Sequence, residues 1–316
     1  MTAAENKKQK KPIPIGGQAV MEGVMMRGTD TYSIAVRHQK TDEIVTSTHP
    51  VKLENKGFAK LPIIRGIVSF ISSLVLGVGT IYESAEMAGL DDFEEENPSK
   101  FEKFLTDKFG DKLYGFVMTF SVIIAVVMSL VFFILLPTWL MSLLKPYIAA
   151  RTLRSILEGV IRICIFIVYL SLVSLAKEIK RVYMYHGAEH KTINCFESGD
   201  SLNVENVRKH TRFHKRCGTS FLLIVMLVSM IFFFFMPFET VLLKSISRLV
   251  LMPLIAGVSY EIIRFAGKSD NIIVRAVSYP GICLQRITTK EPDDSMIEVA
   301  IAALNLTLGI KDEQQS

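Results

Sequence analysis

The sequence predicts a mainly α-helical, polytopic membrane protein with about four transmembrane helices. A small β-containing unit precedes these helices, and a helical segment follows them. Half of the 316 residues are hydrophobic and the mean hydropathy is +0.35, which is high for a soluble domain of this length. The apolar residues are concentrated in a few long runs, and about 20 apolar residues suffice to cross a bilayer as a helix.

Shifts in composition divide the chain into five segments. The first three are a disordered basic tail (1–12), a small β-containing unit with a glycine-rich motif (13–60), and a membrane-associated helix with an acidic linker (61–112). A transmembrane bundle (113–267) and a C-terminal segment (268–316) follow. The bundle includes a polar, His-rich segment at 177–217. This order places the polar segments between and after the apolar runs.

The β-containing unit is predicted from two patterns. Tyr32–His38 and Glu43–His49 alternate and are rich in β-branched residues, with the polar turn Gln39–Asp42 between them, which predicts a hairpin. The preceding block, Gly16–Gly28, has four glycines in an apolar run. Because glycine permits tight turns and close backbone approach, this block is either a ligand-binding loop or a bent connector, and its Glu22 is a candidate catalytic residue.

Four stretches are predicted to cross the membrane. Tyr114–Leu136 and Gly218–Met236 carry no charge, whereas Leu153–Ala176 and Ile246–Phe265 contain charged residues. Leu61–Tyr82 is also apolar but rich in small residues. A crossing there would put the glycine-rich block and the histidines on opposite faces, so we predict a membrane-associated helix that does not cross.

The segments around these spans are predicted more coarsely. Asp91–Asn97 is an acidic linker, and Phe101–Phe109 is an amphipathic stretch before the first span. The chain is expected to turn near Pro137–Ala150 after that span. Ser295–Leu308 has helical periodicity, and Glu291–Asp294 is a plausible entry because acids favour the start of a helix.

The distribution of Lys and Arg predicts a multi-pass cell-membrane protein with both termini in the cytoplasm. The N-terminal tail and the segment 177–217 are basic, whereas the turn near Pro137–Ala150 carries little charge. Contact with anionic membrane lipids accounts for the net charge of +5, so nucleic acid is not an expected partner. A homo-oligomer is compatible with the sequence. The four cysteines predict no disulfide framework.

Charged residues inside the spans are costly in lipid and therefore need partners. Arg154, Glu158 and Arg162 are spaced four residues apart on one helix face, and Glu261 and Arg264 form a similar pair. Two interpretations stay open. These residues either fix the packing of the bundle through salt bridges or line a polar cleft that leads to the histidines.

The strongest functional signal is the cluster His186-Gly-Ala-Glu189-His190. Residues four apart share a helix face, so both imidazoles can reach one ion while the carboxylate stays close. The order of the residues also matches the inverted zinc-protease motif. The cluster predicts a divalent metal, with zinc as the leading candidate, and Glu189 as the catalytic base.

More candidate ligands follow in the same polar segment. His210, His214 and Cys217 repeat the same-face spacing at i, i+4 and i+7 and are predicted metal ligands. Glu197 and Glu205 are alternative carboxylate ligands. Cys217 with His214 also permits a Cys–His nucleophile for acyl transfer, because the start of a helix lowers the pKa of a thiol. The third interpretation of Cys217 is a structural turn into the next span.

Four blocks of this sequence resemble those of the YqhQ-like family of bacterial membrane proteins, in the same order. The blocks are GGQAVMEGVMMRG (Gly16–Gly28), YHGAEHKTIN (Tyr185–Asn194), HKRCGTSF (His214–Phe221) and YPGICLQRITTKEPDD (Tyr279–Asp294). The resemblance runs from about Ile13 to Leu308, and Lys215 stands where the family often has proline. It implies a metal-dependent enzyme, with matching positions at His186, Glu189, His190, His214, Cys217, Glu22 and Arg27.

These patterns predict an integral membrane protein with a metal-dependent, hydrolase-like site at the cytoplasmic membrane face. The position of the site favours a lipid, a lipid-linked intermediate or a membrane-protein segment as substrate. Two other classes stay open. One is a divalent-metal transport or delivery protein whose path is lined by the charges in the spans, and the other is a non-catalytic membrane scaffold.

Overall fold

The computed structural model describes residues 15–51, 61–90, 112–236, 238, 240–266 and 271–310. Three predicted features lie outside these residues, namely the basic tail at 1–12, the acidic linker Asp91–Asn97 and the amphipathic stretch Phe101–Phe109. The described chain is mainly helical with one small antiparallel sheet, as predicted.

The four strands pair in chain order into one antiparallel sheet. They are β1 (Gly16–Val20), β2 (Gly23–Arg27), β3 (Thr31–Arg37) and β4 (Ile44–Pro50). The predicted hairpin is confirmed as β3 and β4. The glycine-rich block forms β1 and β2, so the loop or connector expected there is wrong.

Two residues explain why this block forms a hairpin. Glu22 turns the chain between β1 and β2 with a φ of 50°, in the left-handed region. Gly23 follows, and a Cβ at this position would lie 2.2 Å from the carbonyl oxygen of Ala35. This glycine therefore allows β2 to approach β3.

Ten α-helices follow the sheet within the described residues. They are α1 (Ile64–Met87), α2 (Lys112–Leu130), α3 (Leu136–Leu144), α4 (Arg151–Val173), α5 (Lys177–Ser198), α6 (Val204–Lys209), α7 (Gly218–Phe234), α8 (Val241–Ala266), α9 (Ile272–Thr288) and α10 (Asp294–Leu308). A π-helical turn, Val131–Leu135, joins α2 to α3, and a 3₁₀ turn, Lys145–Tyr147, follows α3.

Within the part of the chain that the structure describes, four helical stretches are long and apolar enough to cross a membrane, namely Ile64–Met87, Thr119–Tyr147, Arg151–Val173 and Leu242–Phe265. The last three correspond to predicted spans. The predicted span Gly218–Met236 is α7, an apolar helix of 17 residues. The number of candidate spans therefore agrees with the prediction, but α1 takes the place of α7 in the set.

The first predicted span continues beyond its expected end. The helix runs through Pro137 and ends at Tyr147, so the turn expected from Pro137 onward begins about ten residues later. Pro137 lies in the first turn of α3, directly after the π-helical turn. The π-helical turn changes the regular hydrogen-bond pattern just before Pro137, and proline is commonly found at such irregular points inside a helix.

The N-terminal half of α1 packs against α8. A Cβ on Gly66 would lie 2.8 Å from the carbonyl oxygen of Gly257, so the two glycines let the helix backbones meet. Next to them, Nε of Arg65 donates to Oε1 of Glu261 at 2.6 Å. Glu261, which was predicted to pair with Arg264, is thus held by a residue of another helix.

The C-terminal half of α1 packs against the sheet. The Oγ of Ser84 accepts a hydrogen bond from the backbone N–H of Met21 at 3.0 Å, and Nε2 of Gln18 donates to the carbonyl oxygen of Gly77. One helix therefore connects the sheet to α8.

The main core lies between the sheet, α5 and α10. It contains fully buried apolar residues from all three, including Val24, Met26, Ala35, Tyr185, Ala188, Met296, Ala300 and Leu304. Complete burial of one large apolar side chain stabilises the fold by about 1.5–3 kcal/mol. The predicted C-terminal helix is confirmed, and Asp293 caps it by accepting the Met296 N–H at 2.9 Å. This core fixes α5, which carries the histidine cluster.

Helix α9 was not predicted. Pro280 and Gly281 interrupt its apolar pattern, although both lie inside the helix. A Cβ on Gly281 would lie 2.7 Å from the Cβ of Ser220 on α7. Gly281 therefore allows α9 to pack closely on α7, which brings the end of α9 to the histidines.

Candidate metal centre

Helix α5 places the predicted cluster on one face. The ring centroids of His186 and His190 are 4.4 Å apart, as expected for residues four apart on a helix. Gly187 lies between them, and a Cβ there would fall 2.0 Å from the carbonyl oxygen of Lys290. The glycine of the motif therefore lets the chain that precedes α10 pass directly over α5.

A cysteine from a distant part of the chain completes a group of three donors. The ligand atoms of His186, His190 and Cys217 all lie within 4.8 Å of one another, and Nε2 of His186 is 3.2 Å from Sγ of Cys217. Around a tetrahedral zinc, neighbouring nitrogen and sulfur donors stand about 3.3–3.6 Å apart. The three side chains therefore have the chemistry and the spacing of a metal site.

Hydrogen bonds orient both imidazoles toward this group. Nδ1 of His186 lies 2.8 Å from the carbonyl oxygen of Thr288, and Nδ1 of His190 lies 2.6 Å from that of Arg212. Because a carbonyl only accepts, each Nδ1 carries a proton, and Nε2 is the ring nitrogen left to bind a metal. Metal-binding histidines are commonly held by such a second hydrogen bond.

The charge states of the donors fit a cation. Burial and, to a smaller extent, the neighbouring His186 lower the pKa of His190 to about 2, so the imidazole is neutral. Burial raises the pKa of the Cys217 thiol. A divalent cation would reverse this effect, because a coordinating thiol is deprotonated.

Glu189 lies beside the three donors. Its Oε2 is 3.9 Å from Nε2 of His186, and its side chain is only 5% exposed. A Cβ on Gly17 would fall 2.7 Å from its Oε1, so β1 covers the carboxyl group closely. Burial raises the pKa of Glu189 to about 8, while His186 acts in the opposite direction. A carboxyl group that titrates near neutral pH can both accept and donate a proton.

His214 stands at the edge of the group. Its ring centroid is 5.6 Å from that of His190, and its Nε2 is 3.6 Å from Oε2 of Glu197. Burial lowers the pKa of His214 to about 4. Glu197, an alternative ligand in the sequence, also forms an ion pair with Arg216. His214 is therefore close to the donors but outside the group of three.

The structure places His210 elsewhere. Its Nε2 lies 2.9 Å from Oδ2 of Asp200, and with Cys195 these residues form a separate group within 4.8 Å. The predicted shared face of His210, His214 and Cys217 is wrong, because α6 ends at Lys209 and the chain from 210 to 217 is not helical.

Two other candidate carboxylates are held away from the donors. Glu22 forms a two-point ion pair with Arg181 of α5, in which Nε donates to Oε1 at 2.7 Å. Glu205 binds Lys209 at 2.8 Å on the exposed side of α6. Glu22 is thus not a member of the donor group, and its position does not support the catalytic role predicted for it.

Sequence reasoning missed the buried amide that holds His214. Nε2 of Gln285 donates to the carbonyl oxygen of His214 at 2.7 Å, and Oε1 accepts from its N–H at 2.9 Å. Thr288, one turn later on α9, supplies the carbonyl that orients His186. A glutamine in an otherwise apolar helix face was the available signal, but α9 itself was not recognised.

A cavity of about 350 Å³ adjoins the candidate centre. His186, Glu189 and Cys217 form part of its wall. Residues Gly16 to Ala19 of β1 form another part of the wall. The remainder combines apolar side chains, including Ile15, Val182, Ile193 and Leu222, with the polar side chains of His214, Arg216 and Thr219. The glycine-rich block therefore contributes to the site as an edge strand.

Comparison with known proteins supports the resemblance seen in the four sequence blocks. The family model described as "Protein of unknown function (DUF1385)" matches residues 61–309. "Uncharacterized protein YqhQ" of Bacillus subtilis (strain 168) is 35% identical over 312 residues, which cover 96% of this chain and 95% of that protein. No solved structure matches the chain. The chain therefore belongs to the DUF1385 family and is a YqhQ-like protein.

Proposed function

We propose that this protein is a membrane-embedded, metal-dependent hydrolase with its site at the cytoplasmic membrane face. His186, His190 and Cys217 hold the metal, for which zinc is the leading candidate, and Glu189 is the catalytic base. The observation that carries the proposal is the 3.2 Å approach of His186 Nε2 to Cys217 Sγ, with His190 beside them.

The donor set supports this choice of metal. Two imidazole nitrogens and one thiolate sulfur suit zinc, whereas calcium and magnesium prefer oxygen ligands. Three protein ligands are also the number found in catalytic zinc sites, which keep one position open. The adjoining cavity provides space at that position.

The protein residues and the metal have separate tasks in this proposal. A bound divalent metal supplies a Lewis acid and lowers the pKa of a coordinated water to about 7. Glu189 takes a proton from the attacking water and returns it to the leaving group. The cover provided by Gly17 excludes bulk water from this carboxyl group, which keeps its pKa raised.

The cavity wall favours a substrate with an apolar part. Ile193 and Leu222 belong to the wall, and α7 leads from the cavity into the apolar bundle. A lipid, a lipid-linked intermediate or a membrane-protein segment has an apolar portion that can enter there.

One geometric observation favours a second candidate function, acyl transfer through a Cys–His pair. The sequence paired Cys217 with His214, but the structure pairs it with His186. Cys217 also caps α7, where the backbone N–H of Thr219 points at its sulfur. The buried thiol, whose pKa is raised, weighs against a resting nucleophile.

Elemental analysis of the purified full-length protein tests the metal assignment. We expect about one metal ion per chain in the unmodified protein and at least a tenfold loss in the double variant His186→Ala/His190→Ala. His210→Ala is the matched control, because this histidine belongs to the same segment but lies outside the donor group, and it should retain the metal. Full occupancy in the double variant would rule out the assignment.

The substitution Glu189→Gln separates an enzyme from a scaffold. It removes the proton-accepting group and preserves the shape of the side chain, so the metal content should stay unchanged. When it is expressed in a strain that lacks the native protein, the variant should fail to correct the phenotype that the deletion causes. Complete restoration would favour a scaffold.

A further inference from the structure

A second cavity lies in the helical bundle, well away from the candidate metal centre. It holds about 60 Å³ and is enclosed by residues of α3, α4, α7 and α8. Phe233 lines it and follows Cys217 by 16 residues along α7, which corresponds to about 24 Å. The two cavities are therefore separate sites.

The lining of this cavity is strongly cationic. Among the described residues it contains the carboxylate Glu158 and six cationic side chains, namely Lys145, Arg151, Arg154, Arg162, Lys244 and Arg248. Three of these cations, Arg162, Lys244 and Arg248, share Glu158, so this group of four side chains carries two more positive than negative charges. An unpaired charge inside a membrane protein is costly, so such an excess requires a counter-ion.

Glu158 is already fully engaged. Its Oε1 accepts from the Thr138 hydroxyl at 2.9 Å and forms an ion pair with Arg248 at 2.5 Å. Lys244 lies 3.7 Å from the other carboxylate oxygen, and Arg162 lies 3.9 Å from Oε1. One carboxylate shared by three cations cannot neutralise them. Salt bridges that fix the helix packing, one of the two interpretations of the sequence, therefore explain only part of this cluster.

The two deepest cations have unused donor capacity. The side chains of Arg162 and Arg248 are 7% and 5% exposed, and the Nε atom of each lacks a hydrogen-bond partner among the described residues. Both guanidinium groups also lie over the ring of Phe233, at 5.1 and 4.9 Å from its centroid. The aromatic ring holds them in position without satisfying their N–H groups.

The cations are arranged by depth. Lys145 and Arg151 are exposed, Arg154 and Lys244 are half-buried, and the two arginines at the base are buried. This gradient leads an anion from the surface toward the guanidinium groups. Arginine matches the oxygen geometry of phosphate, and a single water needs about 10–15 Å³ of such a cavity, so a phosphate-sized group fits.

We propose that this cavity binds a phosphate-bearing anion, with Arg162 and Arg248 at its base and Lys244 and Arg154 at its mouth. Either the headgroup of an anionic phospholipid or free inorganic phosphate supplies this chemistry. The site is independent of the metal centre, because the two lie on different parts of the bundle. A net positive wall also repels divalent cations, so the cavity is a poor path for metal transport.

Thermal unfolding of the purified full-length protein tests the site. In detergent, inorganic phosphate should raise the Tm above its value in sodium chloride of equal ionic strength if the free anion binds. In nanodiscs, phosphatidylglycerol should raise the Tm above its value in phosphatidylcholine if a lipid headgroup binds. A stabilisation by either probe supports the site and identifies the source of the phosphate.

The double variant Arg154→Gln/Lys244→Gln changes the half-buried mouth and leaves the buried base intact, so it should still fold. We expect the apparent affinity for the stabilising probe to fall at least tenfold. Arg264→Gln is the matched control, because Arg264 is an exposed arginine on α8 that does not line the cavity. No stabilisation by either probe, or an equal stabilisation of the unmodified protein and the double variant, would overturn the proposal.

Discussion

The Nε2 atom of His186 lies 3.2 Å from the Sγ atom of Cys217, although 31 residues separate them in the chain. Helix α5 supplies the histidine, and the start of α7 supplies the cysteine. The contact depends on α9, because its Thr288 orients the imidazole and its Gly281 packs against α7. Helices α5 and α7 therefore supply the two atoms, and α9 holds both helices in position.

Gly17→Ala should disturb Glu189. The new methyl group would lie 2.7 Å from Oε1 of this buried carboxyl group, so one of the two must move. Overpacking of this kind costs about 1–3 kcal/mol in the free energy of unfolding. Gly16→Ala is the matched control, since nothing lies within 4 Å of a Cβ there. Equal unfolding curves for the two variants would contradict the close cover of Glu189 by β1.

Gln285→Met should destabilise the segment that carries His214. The variant keeps the approximate shape of the side chain but leaves the N–H and the carbonyl of His214 without their partner. Each unsatisfied buried group costs about 1–3 kcal/mol. We expect a lower midpoint of chemical unfolding, with Gln39→Met, at an exposed position, as the control. An unchanged midpoint would mean that α9 does not hold this segment.

Removal of the metal should lower the thermal stability of the unmodified protein. A ligand that binds only the folded state at about 100 times its Kd stabilises it by about 2.7 kcal/mol. A chelator should therefore lower the Tm of the unmodified protein and leave that of His186→Ala/His190→Ala unchanged. If the chelator shifts both proteins equally, the metal is bound at another site.

Helix α1 should not cross the membrane, as the sequence predicted. The C-terminal half of α1 packs against the sheet through Gly77 and Ser84. This leaves the 13 residues from Ile64 to Leu76 for the lipid, whereas about 20 apolar residues are needed to cross a bilayer as a helix.

Cysteine labelling checks this topology in a cysteine-free version of the chain. Leu61→Cys, just before α1, should resist a membrane-impermeant maleimide added to intact cells. Tyr147→Cys, at the exposed end of the helical stretch Thr119–Tyr147, should react and is the control. Labelling of Leu61→Cys from outside would show that α1 crosses.

The parts of the fold that could be predicted depend on local patterns. Strands β3 and β4 are rich in β-branched residues and flank a polar turn, and α10 has an acidic entry and a clear apolar face, so sequence alone located them. Helix α9 was missed because Pro280 and Gly281 resemble a break. The need for Gly281 comes from its close approach to Ser220, which is a tertiary contact that no local pattern reveals.

The candidate site shows the same limit. His186 and His190 could be predicted because α5 is helical and their spacing alone places them together. The same spacing failed for His210, since its segment is not helical and Asp200 binds its imidazole. Cys217 reaches His186 through the packing of α7 and α9. A rule based on spacing cannot predict a contact between separate helices.

X-ray absorption spectroscopy of the zinc-loaded full-length protein tests the central claim most directly. The account predicts one sulfur neighbour at about 2.3 Å and nitrogen neighbours at about 2.0–2.1 Å from the metal. The sulfur contribution should disappear in Cys217→Ser, while His210→Ala should leave the spectrum unchanged. A metal shell without sulfur in the unmodified protein, or one that is identical in Cys217→Ser, would contradict the centre formed by His186, His190 and Cys217.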